Sequence, residues 1–121
     1  MRVFKTAGFV RFTRKERLAE ESLRNMVREI EQGLPGSSLG GSVYKKRLAR
    51  PGRGKSAGYR IIHAWSRGKI LFLIEGYAKN ELQNLSKREL TAVRNLAAIM
   101  LSWKNIELEI LLKGKVLEEL E

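Results

Sequence analysis

Gly58-Tyr59-Arg60-Ile61-Ile62-His63-Ala64-Trp65-Ser66, then Arg67-Gly68, then Lys69-Ile70-Leu71-Phe72-Leu73-Ile74-Glu75-Gly76-Tyr77-Ala78, is the stretch on which the fold turns. The first segment alternates with both faces populated: Tyr59, Ile61, His63 and Trp65 on one side, Arg60, Ile62 and Ala64 on the other. Arg67-Gly68 reads as a tight turn, which favours antiparallel neighbours. The segment Lys69–Ala78 is nearly all apolar, the pattern of a central strand covered on both sides. A lone His in such a stripe is more often packed than catalytic, so His63 is read as a core residue. Trp65 and Trp103 are read as core or partner contacts.

Outward from this hairpin, Val43–Arg50 predicts a third strand and Pro51–Ser56 a turn or loop. Gly36–Ser42 reads as a loop, and Met1–Thr6 as a short strand. Between them, Leu18, Leu23, Met26, Val27, Ile30 and Leu34 recur at helical spacing, with Gly33 as terminator. Thr13-x-x-Glu16 has the form of a capping box and predicts a break between two helices near residues 13–18. Ser86-x-x-Glu89 is a second such box, opening a stripe of Leu90, Val93, Leu96, Ala97, Met100 and Leu101. The tail predicts a short helix over 106–113, a stop at Gly114 and an extended end over 115–120. Together these elements predict an α+β fold in one domain spanning 1–121: a small antiparallel sheet with N-terminal helices and a C-terminal helix.

The 121 residues carry 24 Lys+Arg against 13 Asp+Glu, net +11. All the acids are glutamate, cysteine is absent and His63 is the one histidine. This excludes a disulfide framework, a Cys-ligated zinc, a thiol nucleophile, paired-imidazole catalysis within one chain and an aspartate cluster for magnesium, although glutamate could still ligate a metal. The start does not read as a signal peptide and no apolar run reaches the roughly 18 residues of a membrane span, so a cytoplasmic protein without a membrane partner is expected. The excess charge is uneven. Val43–Arg60 holds seven bases and no acid, whereas residues 105–121 are net −3. A solvated face normally mixes signs. Unbroken like charge points instead to an anionic partner.

With nucleic acid as that partner, binding alone would satisfy the composition; cleavage is a further step and needs a mechanism. RNA supplies its own nucleophile, the 2′-hydroxyl. The protein orients it, stabilises the phosphorane and helps the 5′-oxygen leave. Arginine suits the second task, because its planar fork meets two phosphate oxygens. A lysine crowded by other cations has its proton loosened and can act as base or acid.

The run Lys45-Lys46-Arg47-Leu48-Ala49-Arg50-Pro51-Gly52-Arg53-Gly54-Lys55-Ser56-Ala57-Gly58-Tyr59-Arg60 resembles the signature of RelE/HigB-type bacterial toxins of the RelE/ParE superfamily. Gly76-Tyr77-Ala78-Lys79-Asn80-Glu81, followed by the capped helix, is similar to the same family. The resemblance implies a RelE-like domain with helices on one face of a twisted sheet and a basic cleft on the other. It implies a toxin of a type II toxin–antitoxin system that cleaves mRNA in the ribosomal A site without a metal. It also implies a cognate antitoxin, usually one that binds DNA. Carried over, Arg60 matches the sheet Arg that contacts the scissile phosphate, Lys55 and Arg53 match loop bases, and Lys79 matches the cation at the next strand's end. Arg60, Lys55 and Lys79 form the implied catalytic set. Lys45, Lys46, Arg47, Arg50, Arg53, Tyr59, Tyr77 and Asn80 form the implied RNA-binding set. Asn80 stands where relatives often place an Arg. Residues 80–102 lack any aromatic, so base stacking would fall to Tyr59 or Tyr77.

Two other functions stay open at this level. ParE-type toxins share the fold and poison DNA gyrase by contact, but usually lack so dense a basic cluster. A DNA-binding regulator would place its bases on a recognition helix, and here they fall on strand and loop. Gly52-Arg53-Gly54-Lys55-Ser56 echoes a phosphate-binding loop but lacks the full spacing and does not join a strand to a helix.

Overall fold

Antiparallel pairing around the hairpin builds most of one six-stranded sheet. The computed structural model describes residues 1–50, 54–80 and 84–121, with the side chains of 54–57 outside the description. Its strands are β1 (Arg2–Thr6), β2 (Ser37–Gly40), β3 (Val43–Arg50), β4 (Gly54–Ser66), β5 (Ile70–Ala78) and β6 (Leu117–Glu119). Their order is β2-β3-β4-β5-β1-β6. The β4–β5 turn closes with Lys69 N–H donating to Ser66 C=O at 2.9 Å. β4 continues back to Gly54, so residues 54–56 are strand rather than loop; the expectation for 51–53 lies outside the described residues. Ser37–Gly40, expected as loop, is the edge strand β2, paired with Val43–Lys45. One contact is parallel: β1 lies beside β5.

The helices are α1 (Ala7–Glu16), α2 (Glu20–Glu31), α3 (Lys87–Ser102) and α4 (Asn105–Lys113). Thr6 ends β1 and caps α1: its hydroxyl oxygen accepts from Phe9 N–H at 3.2 Å and its proton goes to Ile74 C=O at 2.7 Å. The break between α1 and α2 falls at residues 17–19, but not by the expected capping box. Thr13 Oγ1 donates to Val10 C=O within α1, and Glu16 accepts the Tyr59 hydroxyl instead. Arg17 ends α1 in the left-handed region, φ 53°. The Ser86–Glu89 box at α3 is complete in both directions, and the bonds from Ser86 hold the Glu89 carboxyl below its usual range.

The sheet is covered on both faces, a departure from the one-sided arrangement that the resemblance implied. Phe9, Leu23, Met26, Val27 and Ile30 from α1 and α2 pack on Val3, Tyr59, Ile61, Trp65, Leu71 and Leu73. Val93, Ala97, Met100 and Leu108 from α3 and α4 pack on Phe4, Ile62, Ala64, Phe72 and Ile74. Alternation along β4 and β5, reset by a register shift that leaves Ile74 of β5 unpaired, feeds both cores, which is why β5 is mostly apolar. The acidic tail closes the far edge: β6 pairs with β1, and Arg2 holds Glu119 at 2.9 Å and Glu109 at 3.0 Å.

Gly76 admits α1 onto β5. A Cβ there would sit 2.3 Å from the Phe12 ring. Gly76→Ala is expected to cost about 1–3 kcal/mol by overpacking. Phe12→Leu in the same chain should recover part of that loss in a denaturant melt, because it vacates the contested space. Equal losses in the single and double variants would show that Phe12 is not the obstacle.

Candidate nucleic-acid interface

β2 covers only the first part of β3. Among the described residues no strand pairs with the outer edge of β3 beyond Lys45, and a hollow of about 850 Å³ forms there. Its floor and rim carry Lys45, Lys46 and Arg47 from β3, Arg60 from β4 and Lys79 from the end of β5. The opposite wall is the chain leaving α2, Gly33 to Ser37, with Glu29 and Asn84. That wall lies directly on β3: at Gly36, with φ +94°, a Cβ would meet the Lys45 carbonyl oxygen at 2.2 Å.

Register places the charges. Arg47 stands opposite Arg60, and Arg60 opposite Tyr77, so these three share the α3 face of the sheet. Like charges directly opposite on one face repel. Arg60 is 6% exposed, and its Nη1 donates to the Tyr59 carbonyl at 3.2 Å. It lies on an interior strand, not at a sheet edge where its head could reach water freely. Lys46 points to the α2 face, where its ammonium meets Glu29 at 3.2 Å. Lys45 Nζ donates to Asn84 Oδ1 at 3.1 Å. Lys79 is exposed at the rim, with its backbone N–H donating to Gly58 C=O at 3.1 Å.

Of the residues singled out from sequence, Arg60, Lys79, Lys45, Lys46 and Arg47 share this hollow. Asn80 is exposed just past β5 and does not line it. Arg50 and Tyr59 lie elsewhere. The Tyr59 hydroxyl donates to Glu16 at 3.0 Å on the α1 side, Arg50 lies over the Tyr59 ring, and Phe12 meets that ring edge-on. Burial and the Glu16 carboxylate push the Tyr59 phenol upward. Tyr59 is thus a core residue and not a stacking platform. Tyr77 is 9% exposed and its ring is likewise packed rather than presented. Its hydroxyl finds no hydrogen-bond partner among the described residues. Burial raises its pKa, Arg60 opposes that, and Glu75 and Glu89 add to it. Lys55 lies on β4 with its side chain outside the description, and Arg53 and Glu81 lie outside the described residues. Glu29, Asn84 and the 33–37 wall were not found from sequence. They meet the basic strand only through tertiary contact and carry no local signal.

Core packing accounts for the remaining marked residues. His63 is fully buried, its Nε2–H donates to Pro35 C=O at 2.8 Å, and its ring stacks on Tyr44. Trp65 lies in the α1–α2 core and Trp103 meets Phe72 edge-on. No helix among the described residues is long and apolar enough to cross a membrane.

A family model described as the RelE toxin of the RelE/RelB toxin–antitoxin system matches residues 1–120. No curated protein matches the chain. Membership implies an antitoxin partner, and the toxins of this family are generally endoribonucleases. With its basic strand, Gly-Tyr-Arg segment and capped α3 all inside the matched span, the chain belongs to the RelE toxin family of toxin–antitoxin systems.

Proposed function

We propose that the chain is an mRNA endoribonuclease that acts in the ribosomal A site and stops translation. The observation that carries this reading is the convergence of Lys45, Lys46, Arg47, Arg60 and Lys79 on one hollow. Lys46 has a carboxylate partner there in Glu29. Arg60 and Arg47, opposed across β3 and β4, hold the scissile phosphate through their guanidinium forks. The RNA 2′-oxygen attacks phosphorus, its proton passes to a base, and the bond to the 5′-oxygen breaks as that oxygen takes a proton. The products are a 2′,3′-cyclic phosphate and a 5′-hydroxyl. Lys79 at the rim and Lys55 on β4 are assigned the proton transfers, with no metal or cofactor required. The pre-set cations stabilise charge as it grows on the phosphorane. The cognate antitoxin, a helix-turn-helix DNA-binding protein in this reading, blocks that step.

Mapping of mRNA 5′ ends after induction, and with purified ribosomes, tests this. The expected result is codon-spaced 5′-hydroxyl ends that require ribosomes. Intact mRNA with an SOS response would overturn it in favour of gyrase poisoning.

A further inference from the structure

Leu34 belongs by spacing to the apolar face of α2, yet it is 57% exposed and lines the hollow. The ending of α2 explains why. Gly33 N–H donates to Ile30 C=O at 2.9 Å and Leu34 N–H to Glu29 C=O at 3.0 Å, with Gly33 at φ 93°. In a glycine-terminated ending of this kind, an apolar residue after the glycine commonly packs back on the last helical turn. Here the residues it would meet are Arg28 and Glu29, and Glu29 is paired with Lys46. Leu34 therefore keeps its apolar surface in the hollow.

The segment is held from several sides. Pro35 fixes its own φ and biases Leu34 toward extended backbone. The Pro35 carbonyl accepts the His63 Nε2 proton at 2.8 Å. Gly36, at φ 94°, lies against the Lys45 carbonyl. Leu34 and Pro35 thus make a fixed apolar ledge in a hollow otherwise lined by Lys45, Lys46, Arg47, Arg60 and Lys79 among its polar groups.

Phosphate needs only the cations. At about 850 Å³ the hollow has room for whole nucleotides, each with a flat base whose faces are apolar. No aromatic lines the hollow among the described residues, and residues 51–57 and 81–83 contain none. A base seated there packs on something other than an aromatic ring. Among the described residues, Leu34 and Pro35 are the apolar side chains of the lining.

We propose that Leu34 and Pro35 form the shelf on which one base of the bound RNA packs while its phosphate meets the cations. The proposal rests on the RNA reading of the hollow and names the contact that grips the base. Because the ledge is held before RNA arrives, little order is lost when the base seats.

The probes are a single-stranded hexamer of 2′-fluoro RNA, which lacks the attacking hydroxyl, and an abasic hexamer of the same charge. Leu34→Ser should weaken the base-bearing hexamer about tenfold and leave the abasic one within about twofold. The salt dependence should not change, because no phosphate contact is lost. Leu34→Phe, with a larger face, should bind the base-bearing hexamer at least as tightly as the parent. Both variants should melt with the parent, since Leu34 is exposed. Equal losses on the two hexamers, no loss on either, or a Leu34→Phe chain as weak as Leu34→Ser would overturn the proposal. A parent with no preference for the base-bearing hexamer would do the same. Unchanged hexamer binding with lost neutralisation by the co-expressed antitoxin would also overturn it and make the ledge a protein contact. Cleavage of ribosome-bound mRNA by the unaltered chain is scored separately. Its absence removes the nuclease reading, whereas a base-dependent loss in Leu34→Ser leaves the shelf standing.

Discussion

Arg60→Ala is expected to lower mRNA cleavage by about 10²–10³-fold, the usual loss when one pre-set donor to a developing oxyanion is removed. Arg60 is buried on an interior strand, opposite Arg47 and at the floor of the hollow, so its guanidinium is held before substrate arrives. Arg60→Lys keeps the charge but loses the fork, and should recover only a small part of the rate. The fold is checked independently by thermal melting and by antitoxin binding. Cleavage within threefold of the unaltered chain, in a folded protein, would remove Arg60 from the chemistry. Toxicity persisting in a folded Arg60→Ala chain with intact mRNA would return the gyrase alternative.

The second large effect concerns stability and pH. Burial lowers the His63 pKa from 6.5 to about 4; the Pro35 carbonyl opposes this and Lys46 adds to it. The neutral ring already spends its Nε2 proton on Pro35, and Nδ1 has no partner among the described residues. Protonation would therefore place an unsatisfied charge in the core. The unfolded chain takes up the proton near pH 6.5 and the folded chain only near pH 4. Full stability from this group is present above pH 6.5, is lost as pH falls toward 4, and levels off below that. The span corresponds to about 3 kcal/mol. His63→Gln, which keeps a donor for Pro35, should remove this part of the pH dependence. Parallel stability curves for the two proteins between pH 7 and 4 would show that His63 does not titrate as described.

The hairpin from Gly58 to Ala78, the strand Val43–Arg50, the box at Ser86 and the ending at Gly114 were all legible, because each is written in local pattern: alternation, a tight turn, a cap, a stop. The Thr13–Glu16 box misled for a local reason as well. It has the right residues, but Thr13 lies mid-helix and bonds back to Val10, while Tyr59 claims Glu16 from across the fold. β2 was missed because Ser37–Gly40 has neither alternation nor β-branched residues. It is a strand only because β3 offers it a free edge.

The sequence by itself determined where the charge lies and which segments pair with their neighbours, since both follow from residue order and period. Only the tertiary structure decided which charges act together. A pleated strand sends alternate side chains to opposite faces. Lys45, Arg47 and Arg60 therefore converge with Lys79, while Tyr59 and Arg50 turn to Glu16 beneath α1. The parallel contact of β1 with β5 and the helices on both faces likewise arise from long-range burial, for which no short stretch of residues carries a signal.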